Sequence, residues 1–274
     1  MRHVFRFIGI VALLAFTAGP AAAQDTSDVY VVHGIPGVDV DVYVDGALTL
    51  EGFAPKDIAG PLALPAATYD IEIFAAADDP AAAAADRDDD AVISVSPAVP
   101  GGANLSVVAH LDGSGAPTVT AFVNDVTPAG AGNGRLTVRH TAAAPVVDIV
   151  AGGASVPPFV NLANGGEAKA DLPAADYPTG IAAAGTTEAL VDAPVTVVEG
   201  ENLVVYAIGD FAGGTFELLT QNFDGLHSAP TAVNSGNSGL AAASTSSAAG
   251  LLVGGIAALA IASGSGLVLA RRRV

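Results

Sequence analysis

Two histidines stand out first, because each closes a β-like run and each is followed at the same distance by an aspartate. His33 precedes Asp41, and His140 precedes Asp148. A carboxylate beside an imidazole can fix its tautomer for proton transfer or orient it toward a metal. The same pair can simply pin a loop by hydrogen bonding. Neither stretch supplies a second histidine at metal-ligand spacing, so loop pinning is the expectation for both.

The acids are the other reactive population. Asp41-x-Tyr43-x-Asp45-Gly46 looks superficially like a calcium loop, but its third position is Tyr and its twelfth is Gly52 where that loop needs Glu. Asp78, Asp79, Asp86, Asp88, Asp89 and Asp90 are better placed, flanking an Ala-rich stretch, and are weak calcium candidates. A charge run of this kind is ordinarily a solvated surface, so no metal and no cofactor is expected. With no Cys there is no thiolate ligand or cysteine nucleophile. The chain contains no G-x-S-x-G elbow and no H-E-x-x-H, and its Gly-rich stretches lack the Lys of a phosphate loop. Paired carboxylates could hydrolyse glycosides, yet Trp is absent and aromatics are few, which does not suit a sugar cleft. The expectation is no catalytic residue and no enzyme.

Charge and termini indicate where such a chain would work. All 28 acids fall between Asp25 and Asp224, where only Lys56, Arg87, Arg135, Arg139 and Lys169 oppose them. That surface repels phosphate backbones, so nucleic acid is not an expected partner. The N-terminus carries Arg2 and Arg6, an apolar run from Phe7 to Ala18, and Ala21-Ala22-Ala23-Gln24. This is the layout of a secretory signal over residues 1–23, cut between Ala23 and Gln24. Near the other end, residues 248–270 carry no charge and would span about 35 Å as a helix, enough for a bilayer core. Arg271, Arg272 and Arg273 follow and would stay cytoplasmic in a tail over residues 271–274. The combination predicts a single-pass type I protein in the cell membrane with its domains extracellular. No LPxTG stands upstream, so covalent wall attachment is not expected.

Comparing the interior with itself reveals an internal repeat. Val29-Tyr30-Val31-Val32-His33, then Asp41 and Gly46, match Leu136-Thr137-Val138-Arg139-His140, then Asp148 and Gly153, at an offset of 107. Leu64-Pro65-Ala66-Ala67-Thr68-Tyr69 matches Leu172-Pro173-Ala174-Ala175-Asp176-Tyr177, and Gly102-Ala103-Asn104-Leu105 matches Gly200-Glu201-Asn202-Leu203. Val38 to Asp45 alternates Val with Asp or Tyr, the signature of a half-buried strand, and Asp45-Gly46 supplies a turn. Short apolar runs separated by turn residues continue to Leu219, with no capped amphipathic helix. The predicted fold class is all-β: two tandem immunoglobulin-like antiparallel β-sandwich domains plus one C-terminal transmembrane helix. The domains are placed at 28–126 and 134–223. A flexible linker is expected over 127–133 and a disordered stalk over 224–247.

The run His33-Gly34-Ile35-Pro36-Gly37-Val38-Asp39-Val40-Asp41-Val42-Tyr43-Val44-Asp45-Gly46 resembles the start of the bacterial domain of unknown function 4397 family, and so does Leu64-Pro65-Ala66-Ala67-Thr68-Tyr69. The second unit resembles it more loosely, with Gly152 in place of Asp45 and Ala142-Ala143-Ala144-Pro145 in place of the Ile-Pro-Gly-Val loop. The resemblance implies secreted or surface proteins, often duplicated, and brings no catalytic residue. The expected function is a non-enzymatic surface role in adhesion, ligand binding or envelope structure, with an unknown extracellular ligand. The alternative is a small-ligand or calcium-binding accessory subunit of a membrane complex.

Overall fold

The computed structural model describes residues 25–76 and 91–227. The signal segment with Ala23 and Gln24, the acidic stretch Asp78–Asp90, the span over 248–270 and the basic tail lie outside the described residues. Among the described residues no helix is long and apolar enough to cross a membrane.

Local turn chemistry sets the first pairings. Asp45 and Gly46 have φ of 50° and 77°, the left-handed pair a two-residue type I′ hairpin requires. They join β2 (Val40–Val44) to β3 (Ala47–Phe53). Gly152 and Gly153, with φ of 58° and 79°, make the same turn between β12 (Val147–Ala151) and β13 (Ala154–Ser155). Different residues thus reach one backbone geometry, because Asp is among the few non-glycine residues that enter the left-handed region.

In the first half, one sheet has the order β10-β9-β1-β4, from β1 (Thr26–His33), β4 (Ile58–Pro65), β9 (Asn104–Leu111) and β10 (Pro117–Val123). The facing sheet is β3-β2-β6-β7, completed by β6 (Ile71–Ala75) and β7 (Ile93–Val95). A short ladder pairs β5 (Ala67–Thr68) with β8 (Ala98–Val99). The second half repeats these orders: β20-β19-β11-β14 from β11 (Asn133–His140), β14 (Gly166–Pro173), β19 (Asn202–Ile208) and β20 (Glu217–Phe223). Its facing sheet is β13-β12-β16-β17 with β16 (Thr179–Ala183) and β17 (Val191–Asp192), and β15 (Ala175–Tyr177) pairs with β18 (Val195–Val197). Register recurs as well. Val29 lies opposite Leu105 and Leu136 opposite Leu203; Val42 lies opposite Ile73 and Ile149 opposite Ile181. The tyrosine of each Leu-Pro-Ala-Ala-x-Tyr run donates its hydroxyl hydrogen bond back to the proline carbonyl, Tyr69 to Pro65 at 2.9 Å and Tyr177 to Pro173 at 2.8 Å.

The chain departs from several expectations. The sheets are not wholly antiparallel, since β1 runs parallel to β9 and β11 parallel to β19. Parallel neighbours need a long crossover, and the intervening strands of each half provide it. Asp41 and Tyr43 are as buried as Val40 and Val42, so β2 is covered on both faces rather than half-buried. Tyr43 meets Phe74 edge-on at 5.6 Å, and Asp41 accepts the Gly52 amide at 2.8 Å. Strands β4 and β14 went unread because Gly, Pro and Ala dilute their pattern. Both sit at sheet edges, and Pro61 falls where the β1–β4 register shifts, the two settings in which a strand tolerates proline.

The joint over 127–133 is also not free. Arg135 Nη1 donates to the Asp125 and Thr127 carbonyls at 3.0 Å each, and Ala129, itself buried, donates to the Leu226 carbonyl. Leu226, at the start of the expected stalk, is buried too, so the folded unit runs past Phe223.

Three kinds of core result. Val40, Val42, Phe53, Ile73 and Ile93, with Val29, Leu105 and Val107, fill the first sandwich, and Leu136, Val138, Ile149, Ile181 and Val205 fill the second. The third core lies between the halves. Val32, Val108 and Phe122 of the first pack with Val204, Tyr206, Ile208, Phe223 and Leu226 of the second. The described residues accordingly form one compact unit. This is why β9, β11 and β19 are buried on both faces.

Within that third core sits Arg139, fully buried. Its Nε donates to Glu167 at 2.8 Å, Nη1 to the Tyr206 hydroxyl at 2.8 Å and Nη2 to Asn124 Oδ1 at 2.8 Å. The guanidinium also lies over the Phe122 ring, 4.6 Å from its centroid. Gln221 accepts from Tyr206 and from Ser106, extending the network across the junction. Removing one member of a buried ion pair strands the other, so Arg139→Met should lower the unfolding free energy by about 3 kcal/mol. Urea unfolding should stay a single transition in the wild type, because the halves share a core. Two separate wild-type transitions would contradict this. Tyr69→Phe and Tyr177→Phe should each cost about 1 kcal/mol by the same measurement, the net worth of one hydrogen bond.

Candidate functional site

The residues singled out for chemistry are used structurally. His33 Nδ1 accepts from the Ile35 amide at 3.3 Å, so Nε2 carries the proton and donates to the Val38 carbonyl at 2.9 Å. Phe53 stacks on the ring at 5.8 Å. His140 repeats the arrangement, with Nε2 donating to the Pro145 carbonyl at 2.9 Å and the Ala142 amide facing Nδ1 at 3.5 Å. Each imidazole is a neutral clasp on the loop after the first strand of its half, with both nitrogens engaged.

The aspartates close other loops. Asp148 accepts from the Asn161 amide at 2.6 Å, the Gly185 amide at 3.0 Å and the Ser155 hydroxyl at 3.3 Å. The Asn161 amide first, then Gly185, holds its carboxyl below the usual carboxylate range. Both imidazoles direct their nitrogens to backbone groups of their own loops. Asp45 Oδ1 accepts the Asp70 amide at 2.9 Å, so Asp41, Tyr43 and Asp45 do not converge as a calcium loop would need. Among the described residues no three His, Asp or Glu side chains gather to hold a metal ion. The weak calcium candidates Asp78, Asp79, Asp86, Asp88, Asp89 and Asp90 fall outside those residues.

What the fold does assemble is a cleft of about 330 Å3 where the halves meet. The loop His33–Gly37 forms one wall, Pro55 and Lys56 a second, and Ile208, Gly209, Gly214, Thr215 and Glu217 the third. Gly34 permits the approach. A Cβ there would lie 3.0 Å from Ile208 Cγ2, and its carbonyl accepts the Gly209 amide at 3.3 Å. Lys56 and Glu217 form an ion pair across the mouth at 3.0 Å, each about half exposed. The sequence reading did not pick out these two. Lysine scarcity was the available signal, since Lys56 and Lys169 are the only lysines.

Three buried histidines also set an acid sensitivity. His33, His110 and His140 all have pKa values pushed below 6.5, in each case chiefly by burial. His110 was not anticipated; it bonds the Thr120 hydroxyl at 2.8 Å and the Leu111 carbonyl at 2.9 Å. The unfolded chain takes up protons near pH 6.5 that the folded chain refuses. Stability is therefore complete above that pH and falls as pH drops below it toward the folded-state values, with a slope of at most about 1.4 kcal/mol per pH unit for each histidine kept neutral. Unfolding free energies measured from pH 8 to pH 5 should show that decline. A flat profile over this range would contradict it.

No curated protein matches the chain. Residues 27–150 do match a family model, and they take in the His33 loop, Asp41, Lys56, Tyr69, His140 and Asp148. They are similar to the family described as Domain of unknown function (DUF4397).

Proposed function

We propose that the chain is an exported protein held in the cell membrane by one C-terminal helix, with its β domains outside and no enzymatic role. It works there in adhesion, ligand binding or envelope structure. The carrying observation is that His33, His140, Asp41 and Asp148 spend their polar atoms on loop closure. Reactive residue types in the described region thereby serve rigidity, which suits a presented scaffold. The basic leader with Ala23-Gln24 and the uncharged run before Arg271 support the address. The acidic surface favours standing away from anionic headgroups.

On this reading the two halves are tandem immunoglobulin-like sandwich domains, and the second is another copy of the family unit. Their matching strand orders support that. The junction cleft favours a second reading, a subunit that presents a small ligand to a membrane partner. Calcium at Asp78–Asp90 belongs to the same alternative.

Fractionation with protease shaving of intact cells tests the address. The protein should sediment with membranes and lose its β region to external protease, and a variant ending at residue 247 should appear in the medium. Recovery of the intact chain from the cytoplasm would overturn the proposal. Turnover of any substrate in a broad hydrolase panel would overturn its non-enzymatic part.

A further inference from the structure

The two junctions related by the internal repeat are built differently. In the second half, Gly165 has φ of 76° and donates its amide to the His140 carbonyl. Lys56 holds the same place in the first half, with φ of 75° and its amide on the His33 carbonyl. A glycine takes that backbone without strain, whereas a lysine is strained by its Cβ, and such strain is characteristically kept at working sites. Beside Gly165, Asn164 ties its amide nitrogen to the Leu111 and Ala142 carbonyls and stitches that junction shut. Its counterpart beside Lys56 is Pro55, which has no side-chain donor, and here the 330 Å3 cleft stands.

The geometry points to this cleft as a binding site for a free aliphatic α-amino acid, a function beyond surface display. Lys56 and Glu217 put opposite charges side by side at the mouth. An α-amino acid carries its own carboxylate and ammonium side by side, so the carboxylate can take Lys56 while the ammonium takes Glu217. The aliphatic side chain then enters between Ile35, Pro36, Pro55 and Ile208. The volume falls in the small-ligand range, about 300 Å3 and upward, and a junction between packed units is where such sites form. Because the ion pair is solvent-exposed it contributes little to stability, and a ligand can part it at small cost.

Arg135, Arg139 and Lys169, the other described cations, are paired to Asp171, Glu167 and Asp125, away from this cleft. Lys56 is therefore the cation at this mouth. The sign of the whole surface matters too. A lone anion would be repelled by it, while a zwitterion is not.

Isothermal titration of L-leucine into the full-length protein tests the inference, with leucinamide and N-acetylleucine as probes lacking one charge each. Leucine should give saturable heat, and each one-charge analogue should bind about tenfold more weakly or worse. Lys56→Gly should bind leucine at least about tenfold more weakly while keeping or raising the melting temperature, since the other half carries glycine there. Glu217→Gln should weaken leucine but not N-acetylleucine, whose lone carboxylate gains an unopposed Lys56. Absence of saturable heat with leucine at millimolar concentration, equal affinity for the three probes, or undiminished binding by Lys56→Gly would each overturn it.

Discussion

A guanidinium without access to water has to be satisfied at every nitrogen, and Arg139 meets that demand only when both halves are in place. Glu167 and Tyr206 come from its own half, while Asn124 and the Phe122 face come from the other. Much else follows from this constraint. The apolar ring around it keeps the charge dry, and the segment after β10 is drawn in so that Asn124 can reach. Asp125 and Thr127 then arrive beside Arg135, which grips Asp171 through two nitrogens. Asp125 itself, held to about pKa 2 against the opposing effect of burial by Thr127, Lys169 and Arg135, stays charged through ordinary pH and secures the same joint.

Legibility in the sequence followed physical range. The Asp45-Gly46 turn, the valine-rich strands and the repeat were readable because turn chemistry and side-chain alternation are local. Equivalent residues of the repeat occupy equivalent registers in the two halves. Parallel pairing of β1 with β9 was not readable, because nothing in either strand encodes its distant neighbour. Strands β4 and β14 were lost for a different reason. Edge strands need only one good partner, so they tolerate Gly, Pro and Ala that blur the pattern.

The chemistry was legible in type and not in place. His33 and His140 were rightly read as strand-end residues that pin a loop, because a lone histidine with no companion ligand has little else to do. Arg135 and Arg139 entered the sequence reading only as two of the few bases opposing the acids, although an i, i+4 pair of arginines on one strand face implies a polar surface pressed against something. Lys56 was hidden by the repeat itself. The bulge near Pro61 shifts the local correspondence by one residue, so its glycine counterpart does not line up at the offset that matches the neighbouring blocks.

The sheet containing β1, β9 and β10 in one half meets the sheet containing β11, β19 and β20 in the other. The two halves therefore associate through equivalent faces, in the manner of an isologous dimer written into a single chain. Such contacts are closed under their own symmetry. Each half consumes the one face its neighbour needs, and a third unit added in tandem would find none free. A solenoid can grow by another repeat; this arrangement is complete at two.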